Sequence, residues 1–401
     1  MRRVSDQLRL MIVAGEASGD AHAAALVNAM RAAGPNTRFE LFGATGPLLR
    51  EAGVDSIVRT DELSIIGLLE IGKALPKFWQ AYKLLKQAAI ERKPDAVILV
   101  DWPDFNLKLA RALHRRGLKI IYYISPQLWA WRSYRIHSLR RDVDLMLSIL
   151  PFEPDWFAQR GMMQVEYVGN PLAGKVHARY DREEFSRLNH LNPGRPIVAL
   201  LPGSRHNEIT NILPPMLDAA ALIARDNTQV QFAIVVAPGR SPDEAAQIIA
   251  ARKTDPSLPA TLKIIENQTR EALAAADVAA IASGTATLEA GLLGTPMVVV
   301  YKESAINWQT LGRLTHPAHY GLVNLLSGRR MMTELIQNEL TGERLATEII
   351  SLLEPKRNHA LRLQLRELAQ SLGDSDASRL AAERVLATIS QVEVAEPQRA
   401  S

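Results

Sequence analysis

A glycine-rich segment that contains a carboxylate and a hydroxyl, Gly15–Asp20 (GEASGD), follows the apolar run Leu8–Ala14. Glycines in a turn between a strand and a helix let a ligand approach the backbone N–H groups of the helix N-terminus. The G-x-G-x-x-G spacing of a dinucleotide site is absent, and the carboxylate of Glu16 suits the hydroxyl groups of an acceptor better than a phosphate. A tight turn in which Ser18 or Asp20 caps the helix explains the same residues equally well.

A second carboxylate, Asp101, comes directly after the apolar run Asp95–Val100, at the start of the segment Asp101–Asn106 (DWPDFN). In open α/β sheets, ligands bind at the carboxyl ends of the strands. Asp104 is placed to cap the next helix, whereas the sequence indicates no capping role for Asp101. Because both neighbours of Asp101 are apolar, its pKa is expected to rise, which suits a general base.

Two further loops predict an anion site. Pro202–Arg205 precedes a helix expected from about Pro214, and Ser283–Thr287 opens another helix that carries Glu289. Small Ser/Gly/Thr turns at a helix N-terminus offer N–H groups, hydroxyls and the positive end of the helix dipole. Arg205 adds a bidentate fork for a diphosphate, and Glu289 can accept both hydroxyls of a ribose. The two loops together indicate a nucleotide diphosphate site, although no Walker A pattern is present.

Composition excludes several classes of protein. The chain of 401 residues has no cysteine, so disulfides, iron–sulfur clusters and thiol nucleophiles are excluded. A net charge of +4 is too small for an obligate nucleic-acid binder, but it suits an acidic small molecule or an anionic membrane surface. The apolar runs are too short for a spanning helix or a secretory signal, so we expect a cytoplasmic protein.

Short apolar runs alternate with helical patterns along most of the chain, which predicts βαβ units with parallel sheets. We therefore expect an α/β fold with two Rossmann-like domains facing a cleft and helices at the C-terminus. The first domain is placed at 1–180, the second at 190–345 and a helical tail at 346–401. The strands are expected at Leu8–Ala14, Arg38–Phe42, Asp95–Val100, Lys119–Ile124, Leu145–Leu150, Val165–Val168, Pro196–Leu201, Val230–Val236, Leu262–Ile265, Val278–Ala282 and Met297–Tyr301.

Between positions 63 and 89, apolar residues recur at helical spacing, and lysines are interspersed among them. One interpretation is a helix packed on the sheet with its lysines in water. The other is a patch that meets acyl chains and anionic head groups at a membrane surface. The residues assigned to this membrane patch are Leu68, Leu69, Ile71 and Leu75.

Taken together, these segments resemble the lipid-A-disaccharide synthase family. The resemblance rests on GEASGD, on DWPDFN and on further blocks in the family's order, from about residue 10 to 340. GEASGD and SPQ-W-AW together are specific, whereas SGT followed by Glu is shared with other sugar-nucleotide transferases. The further blocks are Ile124–Arg132 (ISPQLWAWR), Leu150–Glu153 (LPFE), Leu201–Arg205 (LPGSR), Ala282–Glu289 (ASGTATLE) and Asn324–Leu326 (NLL).

The resemblance implies an inverting glycosyltransferase of the B-type fold. Such an enzyme transfers 2,3-diacylglucosamine from its UDP conjugate to 2,3-diacylglucosamine 1-phosphate, releases UDP and forms the β-1,6-linked disaccharide 1-phosphate of lipid A. The family is cytoplasmic and peripheral on the inner membrane, and it uses no metal and no cofactor beyond the UDP-sugar substrate. No nucleic-acid partner is expected, and a homodimer is left open.

The resemblance also implies roles for individual residues. Asp101 is expected to be the catalytic base, with Glu16, Asp20 and His22 left open as alternatives. The expected acceptor contacts are Glu16, Ser18, Asp20 and Gln127. The expected contacts to the UDP-sugar donor are Arg205, Ser283, Gly284, Thr285, Thr287, Glu289, Asn324 and Gln337.

Two positions depart from the family pattern. Asn170 stands where family members often have histidine, and the segment Gly43–Leu48 lacks its usual methionine. Three other functions stay open from the residues: a UDP-sugar 2-epimerase of the same architecture, a peptidoglycan-type N-acetylglucosaminyltransferase, and a non-enzymatic sugar-nucleotide sensor.

Overall fold

The computed structural model describes residues 7–62, 71–129, 132–252, 258–259, 261–303, 319–373 and 376–390, with only the backbone described for 71–75. The chain divides into two compact units. The first comprises Met1–Pro171 with Ser375–Ser401, and the second comprises Leu172–Asp374. In the described part of the chain, no helix combines the length and apolar character needed to cross a membrane.

The first unit contains a seven-stranded parallel sheet with the strand order β3-β2-β1-β4-β5-β6-β7. Its strands are β1 (Gln7–Ala14), β2 (Arg38–Thr45), β3 (Asp55–Arg59), β4 (Ala96–Val100), β5 (Ile120–Tyr123), β6 (Leu145–Ser148) and β7 (Val165–Tyr167). Its helices begin with α1 (Ala17–Ala33), α2 (Pro47–Glu51), α3 (Ile71–Arg92), α4 (Pro103–His114), α5 (Ile136–Asp142) and α6 (Glu153–Ala158).

The second unit contains a six-stranded parallel sheet with the order β10-β9-β8-β11-β12-β13. Its strands are β8 (Ile197–Leu201), β9 (Gln231–Val236), β10 (Leu262–Glu266), β11 (Val278–Ala282), β12 (Met297–Tyr301) and β13 (Glu334–Ile336). Its helices are α7 (Arg182–Leu188), α8 (His206–Asp226), α9 (Pro242–Ala251), α10 (Thr269–Ala275), α11 (Thr285–Leu292), α12 (Leu322–Ser327), α13 (Gly342–Leu353) and α14 (Pro355–Ser371).

Burial on both faces explains why the central strands read as continuous apolar runs. All five residues of β4 (AVILV) and of β8 (IVALL) are buried. Two layers of apolar side chains cover the two faces of each sheet. The predicted α/β fold with parallel sheets is therefore confirmed.

The edge strands β3 and β13 are absent from the predicted set. Along β3 the residues are exposed or only half-buried, and β13 has only three residues, so neither forms an apolar run. The predicted start of α8 near Pro214 is wrong, because the helix already begins at His206 and Pro214 lies in its interior.

The C-terminal helices are divided between the two units. Helices α13 and α14 pack in the second unit, while the last helix, α15 (Ala377–Ser390), returns to the first unit. There Ala381 and Val385 join the apolar layer that contains Leu26 of α1, and the Lys119 ammonium donates to the Thr388 carbonyl at 2.9 Å. The predicted tail 346–401 is thus not one structural element.

Candidate active site

The loops after β1 and β4 lie side by side at the centre of the first sheet, because these two strands are paired. Gly15 follows β1, and a Cβ atom added there would lie 2.0 Å from the Trp102 ring in the loop after β4. Trp102 itself stacks on Phe105, with ring centroids 4.0 Å apart. Only glycine leaves room for this indole, so the two predicted segments pack together.

Asp101 begins the loop after β4 in a conformation that non-glycine residues rarely adopt. Its φ is 49° and that of Trp102 is 50°, both in the left-handed region. The Asp101 carbonyl accepts hydrogen bonds from the Tyr122 hydroxyl at 2.6 Å and from the Asn106 amide at 2.7 Å, and these bonds hold the turn. Burial, and secondly the nearby carboxylate of Glu16, raise the pKa of Asp101. A raised pKa suits a general base.

The three acceptor residues predicted in GEASGD differ in their exposure. Glu16 and Ser18 are exposed at the start of α1, whereas Asp20 is buried. The Asp20 carboxylate accepts hydrogen bonds from three backbone N–H groups where β2 leads into α2. The donors are Gly46 at 2.8 Å, Leu48 at 2.8 Å and Leu49 at 3.2 Å. Asp20 therefore caps α2, and its carboxylate is turned to the protein rather than to a ligand.

Gln127 lies exposed in the loop after β5, between the buried residues Pro126 and Leu128. Glu153, the first residue of α6, is only 1% exposed and lies against this loop. It accepts hydrogen bonds from the Ser125 hydroxyl at 2.6 Å and the Trp129 indole at 3.1 Å. No site role is predicted for Glu153, although its position directly after the LPF of a family block is a signal that could have drawn attention to it.

A pocket of about 950 Å³ lies at the carboxyl end of the second sheet. This volume suits a nucleotide-sized ligand. Five of the predicted donor residues line it, namely Arg205, Ser283, Gly284, Thr285 and Glu289. The structure thus brings together the loops after β8 and β11, as the sequence predicts.

The loop after β8 is shaped by Gly203 and Glu208. The Glu208 carboxylate accepts hydrogen bonds from the N–H groups of Ser204 at 2.9 Å and Arg205 at 3.2 Å. Gly203 has a φ of 118°, and a Cβ there would lie 2.4 Å from a Glu208 carboxylate oxygen. The Arg205 side chain is 81% exposed and contacts Glu208 at 3.4 Å. Its guanidinium is therefore available to an anion in the pocket.

The loop after β11 places backbone N–H groups at the pocket. Gly284 and Thr285 are exposed at the N-terminus of α11, and the N-cap residue, Gly284, has no side chain to cap this end. The first N–H groups of a helix have no acceptor within the helix, so they can bind an anion. Ser283 donates its hydroxyl to the Tyr320 carbonyl at 2.6 Å, which fixes the loop.

Two predicted donor residues are buried and have protein partners. Thr287 donates its hydroxyl to the Gly284 carbonyl at 2.7 Å and accepts from the Leu322 N–H. Asn324 is fully buried and donates to the Glu334 carboxylate at 2.8 Å. Both residues hold the second-unit loops in place, and neither lines the pocket.

Among the charged residues that line the pocket, Arg179, Arg270 and Glu271 were not predicted. Arg270 forms an ion pair with Glu289 at 3.0 Å, and Arg179 binds Glu271 at 2.7 Å. Burial acts to raise the pKa of Glu271, but the hydrogen bonds from Arg179 and from backbone N–H groups, with the charge of Arg179, together keep the pKa below its usual range. Arg179 and Glu271 are 92 positions apart, so sequence spacing gives no signal for this pair.

The remaining predicted positions are those of the membrane patch, Gln337 and Asn170. Leu68 and Leu69 lie outside the described residues, and Ile71 is described only by its backbone in α3, as is Leu75. Gln337 follows β13 with a φ of 56° and is not among the pocket-lining residues. Asn170, at the position where the family often has histidine, is buried and donates to the Ile149 carbonyl at 3.1 Å.

The two parallel sheets with their flanking helices define the fold of the B-type glycosyltransferases. A calicheamicin glycosyltransferase is similar in structure, with a TM-score of 0.62 and 16% identity over 96% of this chain and 99% of that one. A UDP-GlcNAc 2-epimerase from Neisseria meningitidis gives a TM-score of 0.63 and 11% identity over 95% of this chain and 100% of that one. At these identities, the likeness shows the fold alone.

The family follows from sequence comparison. The model of the lipid-A-disaccharide synthetase family matches residues 10–385, and the chain belongs to this family. The lipid-A-disaccharide synthase of Myxococcus xanthus is 41% identical over 94% of this chain and 97% of its own length. The synthase of Syntrophus aciditrophicus is 42% identical over 95% of this chain and 97% of its own length. The chain is therefore a glycosyltransferase of lipid A disaccharide synthesis, which confirms the resemblance seen in the sequence.

Proposed function

We propose that the chain transfers 2,3-diacylglucosamine from UDP to the 6-hydroxyl of 2,3-diacylglucosamine 1-phosphate, with Asp101 as the general base. Asp101 removes the hydroxyl proton as the oxygen attacks the anomeric carbon, and the α-linked donor is inverted to a β-linked product. The observation that carries this assignment is the clamped turn that holds Asp101 at the carboxyl end of β4 with a raised pKa. A base of this kind removes a proton in the transition state.

The leaving UDP gains negative charge as the glycosidic bond breaks, and the loops of the second unit are suited to stabilise that charge. The exposed guanidinium of Arg205 can bind the diphosphate as a fork. The N–H groups of Gly284 and Thr285 lie at the N-terminus of α11, where the positive end of the helix dipole also favours negative charge. In this proposal these protein groups stabilise the leaving group without a metal ion.

Glu289 is proposed to accept the hydroxyl groups of the ribose. It lines the pocket and is held by Arg270, whose guanidinium also donates to the Lys175 carbonyl at 3.3 Å. An arginine that fixes one oxygen of a carboxylate leaves the other oxygen for a ligand. Thr287 and Asn324 then support these loops from behind rather than binding the donor.

For the acceptor, we propose contacts from the exposed residues Glu16, Ser18 and Gln127. Carboxylates and amides bind sugar hydroxyls through hydrogen bonds. Asp20 is omitted from this set, because its carboxylate is already occupied by the N–H groups that begin α2.

The acyl chains of both substrates lie in a bilayer, so we propose a peripheral contact with the cytoplasmic side of the inner membrane through the membrane patch and α3. Trp79 on α3 is 58% exposed. It stacks on Tyr82 at 5.3 Å, and the Lys83 ammonium lies 5.6 Å from its ring centroid. An exposed indole beside a lysine suits the interface between water and anionic lipid. The homodimer stays a prediction.

The membrane contact is tested by replacing Leu68, Leu69 and Ile71 with serine. The triple variant is expected to stay in the supernatant when anionic vesicles are sedimented, while its UDP affinity and melting temperature match the wild type. Higher salt should weaken the residual binding, because lysine attraction to lipid is screened. Normal sedimentation of the folded variant, together with a large fall in its melting temperature, would instead show that these side chains belong to the core.

The reaction is tested by incubating the protein with UDP-2,3-diacylglucosamine and 2,3-diacylglucosamine 1-phosphate. Formation of UDP and of a disaccharide 1-phosphate, both identified by mass, supports the proposal. Omission of either substrate should abolish both products. A product formed from the UDP-sugar alone would indicate an epimerase, and UDP-sugar binding without turnover would indicate a sensor.

A further inference from the structure

Glu153 is a buried carboxylate to which the proposed reaction assigns no step. It is 1% exposed, and burial raises its pKa to about 7. Three donors surround it. One carboxylate oxygen accepts from the Ser125 hydroxyl at 2.6 Å and from the Leu150 N–H at 3.3 Å, and the other accepts from the Trp129 indole at 3.1 Å. Burying a carboxylate is costly unless hydrogen bonds compensate for the lost water. The positions of these donors therefore indicate what the buried carboxylate holds in place.

Two of these donors, Ser125 and Trp129, lie in the segment that follows β5. Ser125 and Trp129 enclose residues 126–128, in which Pro126 and Leu128 are buried and Gln127 is exposed. The Trp129 ring also packs edge-on against Phe152, with centroids 5.6 Å apart. One carboxylate therefore binds residues on both sides of the exposed Gln127.

A role as helix cap alone explains only part of this arrangement. Glu153 begins α6, and an acidic residue there is favourable for the helix dipole. However, the side-chain donors come from the loop after β5, 24 and 28 positions away in the sequence. A capping role needs neither of them.

We infer that Glu153 is a positioning residue, which holds the loop 125–129 so that Gln127 binds the acceptor sugar. The inference rests on the proposed function, in which Gln127 contacts the acceptor. It predicts that the two loop donors and Glu153 act as one unit on acceptor binding. It predicts no effect on the donor, whose proposed contacts are in the second unit.

The test uses Glu153→Gln and Trp129→Phe, singly and combined. Glutamine has one acceptor oxygen instead of two, so it can keep the Ser125 bond but then turns an N–H group toward the indole. Phenylalanine removes the indole N–H and keeps an aromatic ring. Each single variant should raise the acceptor KM about tenfold, the order expected for the loss of one buried hydrogen bond. The KM for the UDP-sugar should not change.

The double variant distinguishes a shared bond from two separate effects. Because both changes break the same contact, we expect it to be no worse than the more affected single variant. Fully additive effects would contradict the inference. The matched control is Asp95→Asn, which weakens a 2.7 Å bond to the Arg9 N–H at the other end of the sheet. It should lower the melting temperature and leave the acceptor KM unchanged.

The outcomes separate this inference from the proposed function. An active wild type with an unchanged acceptor KM in Glu153→Gln and Trp129→Phe refutes the positioning role alone. A similar rise in acceptor KM in Asp95→Asn also refutes it, because the effect would then follow stability. If Glu153→Gln does not fold, Trp129→Phe decides by the same criterion. A wild type that forms no disaccharide refutes the proposed function and the inference with it.

Discussion

The carboxyl ends of the two sheets have the same strand arrangement and opposite chemistry. In each unit the first strand pairs with the second on one side and with the fourth on the other, so the loops after β1 and β4 correspond to those after β8 and β11. The first pair of loops presents the carboxylates of Glu16 and Asp101. The second pair presents Arg205 and the N-terminus of α11.

The backbones of these loops also differ in which residue types occupy the positions with positive φ. In the first unit, Asp101 and Trp102 are non-glycine residues with positive φ. In the second unit, Gly203 and Gly284 occupy the positions with positive φ, at 118° and 154°. The positive φ values of Asp101 and Trp102 are unfavourable, and hydrogen bonds to the Asp101 carbonyl hold this turn. At Gly203 and Gly284, glycine adopts a positive φ without that conformational cost.

The comparison teaches that the fold supplies the place and the loops supply the chemistry. In open α/β sheets, ligands bind at the carboxyl ends of the strands where the strand order reverses, which here is between β1 and β4 and between β8 and β11. In the proposed reaction, the loops of the first unit supply a base for the acceptor hydroxyl, and those of the second unit bind the diphosphate of the donor.

The strongest way to break this comparison is to remove the base. Asp101→Asn should lower kcat by about 10²–10⁴, since asparagine keeps the shape but cannot accept the proton. Affinity for UDP, measured by calorimetry, should be unchanged. If the variant keeps more than about a tenth of the wild-type rate, the base lies elsewhere, and Glu16→Gln is then the next variant to measure.

The second test removes the anion-binding side chain. Arg205→Ala should lower kcat/KM by about 10²–10³, because the guanidinium meets charge that grows in the transition state. Arg205→Lys should recover only part of this loss, as lysine lacks the planar fork. The melting temperature should not change, since the side chain is 81% exposed. Full activity in Arg205→Lys would indicate a simple point charge, and a rate that falls with a chelator would indicate a metal ion.

The sequence predicted those parts of the molecule that depend on local pattern. The runs before Gly15 and Asp101 gave the central strands, because strands buried on both faces are continuously apolar. The placement of Arg205 and Glu289 at one pocket followed from the rule that ligands bind at the carboxyl ends of parallel strands. The edge strand β3 was missed, because its half-exposed residues form no such run.

The parts that could not be predicted depend on contacts between distant segments. The role of Asp20 is set by N–H groups 26–29 positions away, and that of Glu153 by donors that are mostly as distant. Neither partner is visible in a local pattern. The sequence therefore assigned a site role to Asp20 and none to Glu153, although both carboxylates are buried and accept hydrogen bonds from the protein.

A third test sharpens the contrast between Asp101 and an ordinary aspartate. Because the base must be deprotonated and its pKa is raised, kcat/KM should fall as the pH drops through a value above the usual aspartate range. Glu16→Gln removes one cause of the rise, so the fall should move to lower pH. An identical pH profile in the wild type and in Glu16→Gln would show that Glu16 does not influence Asp101. Ser18→Ala is the matched control, because it changes no charge.

The smallest effect concerns packing between the two loops of the first unit, and it is measured by stability. In Gly15→Ala the new Cβ would lie 2.0 Å from the Trp102 ring, so the indole must move; we expect a loss of about 1–3 kcal/mol in the free energy of unfolding. Gly19→Ala is the control within the same motif. Its Cβ would lie 3.7 Å from the nearest atom, in a helix, so stability should be unchanged or higher by up to about 1 kcal/mol. Chemical denaturation of both variants decides the question, since equal stabilities would show that the Trp102 ring does not pack on Gly15.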